Sequence, residues 1–365
     1  MDINYGDKFA ICFNMMKLRY ADYSESLKFK NFLNPNDGIN VFISFESVLK
    51  NISRIPDLEK RIVLERDFVT IIISNIINLI AHYSGFFRSN GLNTRIYLYM
   101  TSLDSNYFLQ YKYNEDYRSY YLVKWNENPR FAQFTDSFKK DILPLTKTYL
   151  EFIPGAYFLD AKNMEGSMIP YVIARQDPSR KNLVISEDIY DSQYGLLDNF
   201  VMHYLHRDFK ISYNSSTSTE YLKDLLGKEP KEIPTYIQTI FQKYALYVSL
   251  LSVLGDRPRS LDGVGGIKGS SMSKLLLEGV EKQIITLDTE SPALLQEIFG
   301  GYEERKEEFD QNYRCCSIKM AFDELTRADC ISLYNQQIDR MDVNSLMMLN
   351  RTVFAKYPLM LDRLL

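Results

Sequence analysis

The sequence predicts an α/β fold: a mostly parallel central sheet flanked by helices, followed by a helical C-terminal region. Two observations carry this. Short runs rich in β-branched and aromatic residues recur at Ile39 to Phe45, Thr94 to Met100, Gly155 to Ala161, Asn182 to Ser186 and Phe209 to Tyr213. Helical stretches separate them, the rhythm of parallel strands joined by helical crossovers. From Glu220 the chain turns helical, with apolar residues at helical spacing from Pro234 to Gly255.

Taken in order, residues 1–38 are a polar, irregular extension that closes on the turn signal Asn34-Pro35-Asn36-Asp37-Gly38. The alternation from Ile39 to Phe45 predicts a buried strand, and Pro56 to Tyr83 predicts a long helix returning over it. The run from Phe68 to Phe87 is the most apolar of the chain, but Ser74, Asn75, Asn78 and His82 interrupt it. It therefore reads as a buried core helix, not a membrane span. An insertion at about 105–134 mixes Tyr107, Phe108, Tyr111, Tyr113, Tyr117, Tyr120, Tyr121 and Trp125 with Lys112, Arg118, Lys124 and Arg130. Two readings stand for it: a hairpin packing an aromatic face on the domain, or a platform that stacks the bases of a single strand. The predicted organisation is an α/β domain over 39–219, a helical region over 220–335 and a helical extension over 336–365. The charged stretch Gly301 to Asp310 reads as a solvated helix face.

Composition narrows the function classes. With 365 residues, 45% hydrophobic and 25% charged, the chain can bury a full core. A net charge of -4 excludes a polycation, so any nucleic-acid contact must use a local basic face. Cys12, Cys315, Cys316 and Cys330 show no paired metal spacing, and His82, His203 and His206 are too few to suggest a zinc centre. Free thiols and a charged N-terminus without an apolar core point to a cytoplasmic setting with no export signal.

The most informative stretch is Leu254 to Leu277. Gly263, Gly265, Gly266 and Gly269 sit between two apolar-periodic segments, so the chain turns sharply and leaves backbone amides uncovered. Ser270 and Ser271 can cap the following helix, whose first N–H groups would face the same ligand. Arg257, Arg259, Lys268 and Lys274 add charge. Together these residues form a candidate seat for the phosphate backbone of DNA, duplex or branched.

This stretch resembles the helix-three-turn-helix of the 5′-3′ exonuclease and flap endonuclease superfamily, whose nuclease domain is PIN-like. Gly255, Asp256, Gly263, Val264, Gly266, Ile267, Lys274, Leu275 and Leu276 match its pattern in register. Arg259, Ser260, Asp262 and Lys268 depart from it. The resemblance implies a turn that grips duplex backbone, an arch at the position of the aromatic insertion, and carboxylates holding two divalent cations for phosphodiester cleavage.

The implied carboxylates are mostly missing. The first strand of the family ends in Asp, where this chain has Ser44; its second also ends in Asp, where Tyr99 or Met100 stands. The acidic motif opening the central helix is matched by Glu165, Gly166, Ser167 and Met168, so one acid remains. In the next motif Asp188 and Gln193 remain while Tyr190 replaces the second Asp, and in the glycine motif Asp256 remains while Arg259 replaces its partner. Glu165, Asp188 and Asp256 are thus vestigial, with Glu165 and Asp188 serving either as a helix cap and a polar strand end or as weak metal candidates. Glu46, Asp104, Glu187 and Asp191 are the neighbours that could rebuild a site.

The expectation is a catalytically degenerate member of that superfamily that binds DNA or scaffolds a replication or transcription assembly, with no cofactor, no membrane and protein partners. Asn, Ile, Tyr and Lys richness and closeness to phage-type members suggest a viral source. Two alternatives remain open. One is a magnesium-dependent nuclease with a rebuilt metal site; the other is a protein-interaction or virion subunit that does not touch DNA.

Overall fold

The computed structural model describes residues 38–53, 65–102, 138–188, 190–204, 212–213, 230–232, 244–255, 259–266 and 302–338, with 344–345, 347–348 and 351. The N-terminal extension, the aromatic insertion with Trp125, and Asp256, Arg257, Lys268, Gly269, Ser270, Ser271 and Lys274 of the glycine stretch lie outside the described residues.

Six strands form one sheet: β1 (Gly38–Ser44), β2 (Asn93–Thr101), β3 (Ala156–Ala161), β4 (Lys181–Ser186), β5 (Phe200–Tyr204) and β6 (Ser212–Tyr213). Their spatial order is β3-β2-β1-β4-β5-β6. The first five are parallel, and β6 runs antiparallel on β5. β5 has no counterpart among the expected strands; its five residues sit beside apolar Leu196 and Leu197, which blurs any strand boundary. Of the expected last strand, Ser212 and Tyr213 are described, and they pair with β5 antiparallel rather than parallel. The physical reason is length: too few residues separate Tyr204 from Ser212 for a crossover, which takes a dozen or more.

Both faces of the sheet are buried, as helical crossovers require. On one face Ile39, Val41, Ile43, Ile96, Leu98 and Ile185 pack against α1 (Phe45–Ser53), α2 (Glu65–Ser89) and α3 (Leu143–Glu151). The alternate residues Phe42, Tyr97, Tyr99, Leu159, Val184 and Met202 face α4 (Ile169–Gln176), α5 (Tyr244–Leu254) and α6 (Tyr302–Cys316). Of the helix expected over 56–83, the described part from Glu65 lies in α2, which runs on to Ser89, and the part before Glu65 lies outside the described residues. α2 is a core helix, with Ile72, Ile73, Ile77 and Ile80 fully buried along with Ser74 and Asn75. No helix among the described residues is long and apolar enough to cross a membrane.

The C-terminal region closes this second face with α6, α7 (Ile318–Asp323) and α8 (Arg327–Tyr334). α6 has the expected solvated face: Lys306, Glu307, Glu308 and Asp310 are exposed while Phe309, Cys315 and Cys316 are buried. At the amino ends of the strands the buried Arg180 donates from Nε to Asn40 Oδ1 at 2.8 Å and from Nη2 to Ile39 O at 2.9 Å. That guanidinium pins β4 to β1, and nothing in the sequence singles it out.

At the other end, a one-turn 3₁₀ segment (Gly166–Met168) leads into α4 and meets the last residues of β2. Gly166 N donates to Thr101 Oγ1 at 3.0 Å, and a Cβ on Gly166 would lie 2.5 Å from Thr101 N and 2.6 Å from Met100 C. Both are backbone atoms of a buried strand and cannot swing aside. Gly166→Ala is accordingly expected to destabilise the protein by about 1–3 kcal/mol, the usual cost of overpacking, read as a lower midpoint in urea denaturation with an unchanged slope.

Candidate functional site

The strand order reverses direction between β1 and β4, and the carboxyl ends of parallel strands at such a switch point form a crevice. Ser44 ends β1, Thr101 ends β2, and Ser186 ends β4, followed by Glu187 and Asp188. Loops here are tied edge to edge. Ser47 Oγ and Ser186 Oγ share a hydrogen bond of 3.2 Å, and Glu187 N donates to Ser47 Oγ at 3.0 Å. Glu165 reaches the crevice from the loop before α4 and is fully buried.

Arg259 fills the centre. Its Nε donates to Glu165 Oε2 at 2.8 Å, Nη2 to Asp188 Oδ2 at 2.7 Å and Nη1 to Asp188 Oδ1 at 3.2 Å. A fourth, longer bond runs from Nη2 to Ser167 Oγ at 3.3 Å. The guanidinium carbon lies 4.1 Å from the centroid of the Tyr190 ring, so the planar cation is forked by carboxylates and stacked on an aromatic face. The residue is 1% exposed. Arg259, expected to contact DNA, is buried here with its guanidinium bonded to Glu165 and Asp188.

A turn delivers Arg259 to this place. α5 ends at Leu254, and Gly255 takes a positive φ of 69° while its N–H returns to Leu251 O at 3.0 Å. A side chain on Gly255 would collide with the backbone of Asp262 and Gly263, so the loop can double back only over a glycine. Asn312 of α6 fastens the loop by donating to Ser252 O at 2.9 Å and Asp262 O at 2.7 Å.

The residues standing where the resembled motifs have acids all have partners within the protein. Tyr99, at the end of β2, donates its hydroxyl to Asp191 Oδ2 at 3.0 Å. Tyr190 lends its ring to Arg259 and donates its hydroxyl to Cys315 O at 3.3 Å. Ser44 Oγ accepts from Ser47 N at 3.2 Å, opening α1 as a cap does. Gln193, which matches the family motif, holds protein only: Nε2 donates to Tyr190 O at 3.0 Å and Cys316 O at 2.7 Å, while Oε1 accepts from Tyr244 Oη at 2.9 Å. Of the two structural roles expected for Glu165 and Asp188, Glu165 does not cap its helix, because its carboxylate is turned inward to Arg259. Asp188 does form a local turn, its Oδ1 accepting from Tyr190 N at 2.9 Å.

Divalent cations do not fit this donor set. The space between Glu165 and Asp188 is occupied by a guanidinium that cannot lose its charge. Asp191 is 1% exposed, and burial, followed by the negative charge of Asp188, pushes its pKa up to about 7. The Glu46 carboxylate is turned to the end of β2, accepting weakly from Thr101 N at 3.4 Å. Among the described residues no group of three or more His, Cys, Asp or Glu is placed to hold a metal ion.

The glycine turn lies on the outer side of the same loop. Val264, Gly265 and Gly266 form a short 3₁₀ segment in which Gly265 has φ of 62°, a left-handed conformation natural to glycine. Gly265 is exposed, and Gly263 is half-buried. The loop thus faces two ways, Arg259 inward to the acids and the glycines outward.

Two outcomes follow from this geometry. Arg259→Ala leaves fully buried Glu165 without its cation, and is expected to cost about 3–5 kcal/mol in chemical denaturation. Asp191 has a folded pKa of about 7 against 3.8 unfolded. Its neutral form is favoured by folding, so its contribution is fully present below about pH 4 and lost as pH rises through 7. Stability should decline over that window by at most about 1.4 kcal/mol per pH unit from this group. Asp191→Asn, measured by thermal melts at several pH values, should remove that component and make the protein more stable than the parent at pH 8.

No protein-family model matches the chain, and no curated protein matches it. Its structure is similar to bacteriophage T5 5′-exonuclease with divalent zinc ions bound, at a TM-score of 0.50 and 9% identity, covering 87% of this chain and 98% of that one. A flap endonuclease of bacteriophage T5, in a pseudo-enzyme-product complex with DNA and metal ions, gives 0.49 and 13% over the same shares. The catalytic core of Rad2 in complex with DNA substrate gives 0.40 and 12%, over 88% of this chain and 89% of that one. What such identities establish is architecture: this chain has a flap endonuclease-like fold, with a parallel five-stranded core to its sheet and a helical C-terminal region.

Proposed function

We propose that this chain is a nuclease-fold protein that binds the backbone of DNA and does not cut it, acting as a binding or scaffolding subunit. One observation carries the reading: the buried Arg259 guanidinium between Glu165 and Asp188, at the strand ends where a two-cation nuclease needs clustered acids. Its binding surface is the outward glycine turn with Lys268 and Lys274, supported by the helix-three-turn-helix resemblance and by the shared fold with a 5′-exonuclease. Phage-type motif order and the Asn, Ile, Tyr and Lys richness support a viral replication or transcription assembly in a host cytoplasm as its setting.

The test is a combined binding and cleavage assay on flap, duplex and single-stranded DNA, with and without magnesium or manganese. No cleavage is expected. Cleavage that disappears in Asp188→Ala would overturn the reading and restore a rebuilt metal site. Duplex binding should weaken with salt along a slope of only a few counterions. Lys268→Glu combined with Lys274→Glu should weaken binding to unrelated sequences alike, since backbone contacts position a protein without reading bases. Unchanged affinity in that folded double variant would favour a pure protein-interaction subunit.

A further inference from the structure

The glycine turn has a resident. Gly265 N donates to Glu308 Oε2 at 3.1 Å, across from the middle of α6. One helical turn earlier on the same helix, Arg305 places Nη1 where a Cβ of Gly265 would be. Residues three apart share a helix face, so α6 presents a guanidinium and a carboxylate to the same glycine. A backbone N–H beside a guanidinium on an exposed left-handed glycine is an anion seat by chemistry, and an oxygen of a carboxylate is what it holds. Only a glycine leaves room for that approach.

We propose that the Gly265 amide and Arg305 form a seat for one phosphodiester of nucleic acid, and that the Glu308 carboxylate closes this seat in the free protein, so that nucleic acid binds by displacing it. The proposal rests on the reading of the glycine turn as a DNA contact and adds its regulation. Glu308 is exposed, on the solvated side of α6, so it can swing into water without disturbing the core. Its displacement costs one charge-assisted hydrogen bond, which the incoming phosphate replaces. The net effect is weaker binding: a seat open in about a tenth of molecules binds about tenfold more weakly than one always open. Arg305 also becomes a nucleic-acid contact that the sequence motif does not include, since it lies beyond the motif on another helix.

The test is fluorescence anisotropy of a labelled duplex oligonucleotide at low salt. It compares the full chain with Glu308→Gln, Glu307→Gln and Arg305→Gln in the Glu308→Gln background. Glu307 is equally exposed on α6 and reports the general effect of removing a negative charge. Glu308→Gln should tighten binding by about tenfold, clearly more than Glu307→Gln, with thermal stability unchanged. Adding Arg305→Gln should weaken it again and lower the salt slope by about one counterion. Equal gains from Glu307→Gln and Glu308→Gln overturn the proposal. So does a Glu308→Gln protein that binds like the parent while the Lys268→Glu, Lys274→Glu double variant still weakens both; the DNA-binding function then stands. Binding by Glu308→Gln alone supports the proposal, and failure of every variant to bind at low salt removes the seat and the function together.

Discussion

The buried ion pair network of Arg259 with Glu165 and Asp188 is the constraint on which the rest of the site depends. Two carboxylates near one another at the ends of buried strands cannot remain ionised without a cation. In a metal-dependent nuclease, metal ions meet that need and do chemistry as well. Here a guanidinium meets it, with fixed geometry, bidentate bonds to Asp188 and a stacked tyrosine beneath. The arrangement balances the charge of the two carboxylates and leaves both bonded to one guanidinium. A buried pair of this sort contributes little net stability, because desolvation offsets attraction, but breaking it from one side is costly.

The side chains around that network complete its bonding. Tyr190 supplies the ring on which the cation rests, and Ser167 supplies an acceptor for Nη2. Tyr99 gives a hydroxyl to Asp191, an acid driven toward its neutral form by burial. Tyr194, fully buried, adds a hydroxyl bond to Ser167 O at 2.6 Å, tightening the joint below α4. The crevice at the strand ends is thus filled and bonded like a protein core.

The loop from Gly255 to Gly266 couples that core to the surface. Arg259 is anchored between Glu165 and Asp188, and Gly265 meets Glu308 of α6. Asn312 strengthens the arrangement by bonding the carbonyls of Ser252 and Asp262 at once. The acidic face of α6 is what separates this surface from a uniformly basic groove, which fits a chain of net charge -4.

The periodicities by themselves determined the architecture, because strands buried on both faces must be apolar and helical crossovers have their own spacing. Four of the five parallel strands, the core helix around Ile72 to Ile80 and the helical C-terminal region were legible in this way. The short β5 and the antiparallel β6 were not, since a five-residue strand leaves little periodic signal and chain direction is set by connection length. That Ser44, Ser167, Met168, Tyr190 and Arg259 stand where the resembled motifs carry acids was also readable, because it needs only a motif in register. What the replacements do was decided by tertiary structure alone. Arg259 lies 94 positions from Glu165 and 71 from Asp188, and Glu308 lies 43 from Gly265. Whether a charged side chain of the glycine stretch turns inward to acids or outward to a phosphate depends on the left-handed turn at Gly255 and on the helices packed around it, and no local pattern encodes that choice.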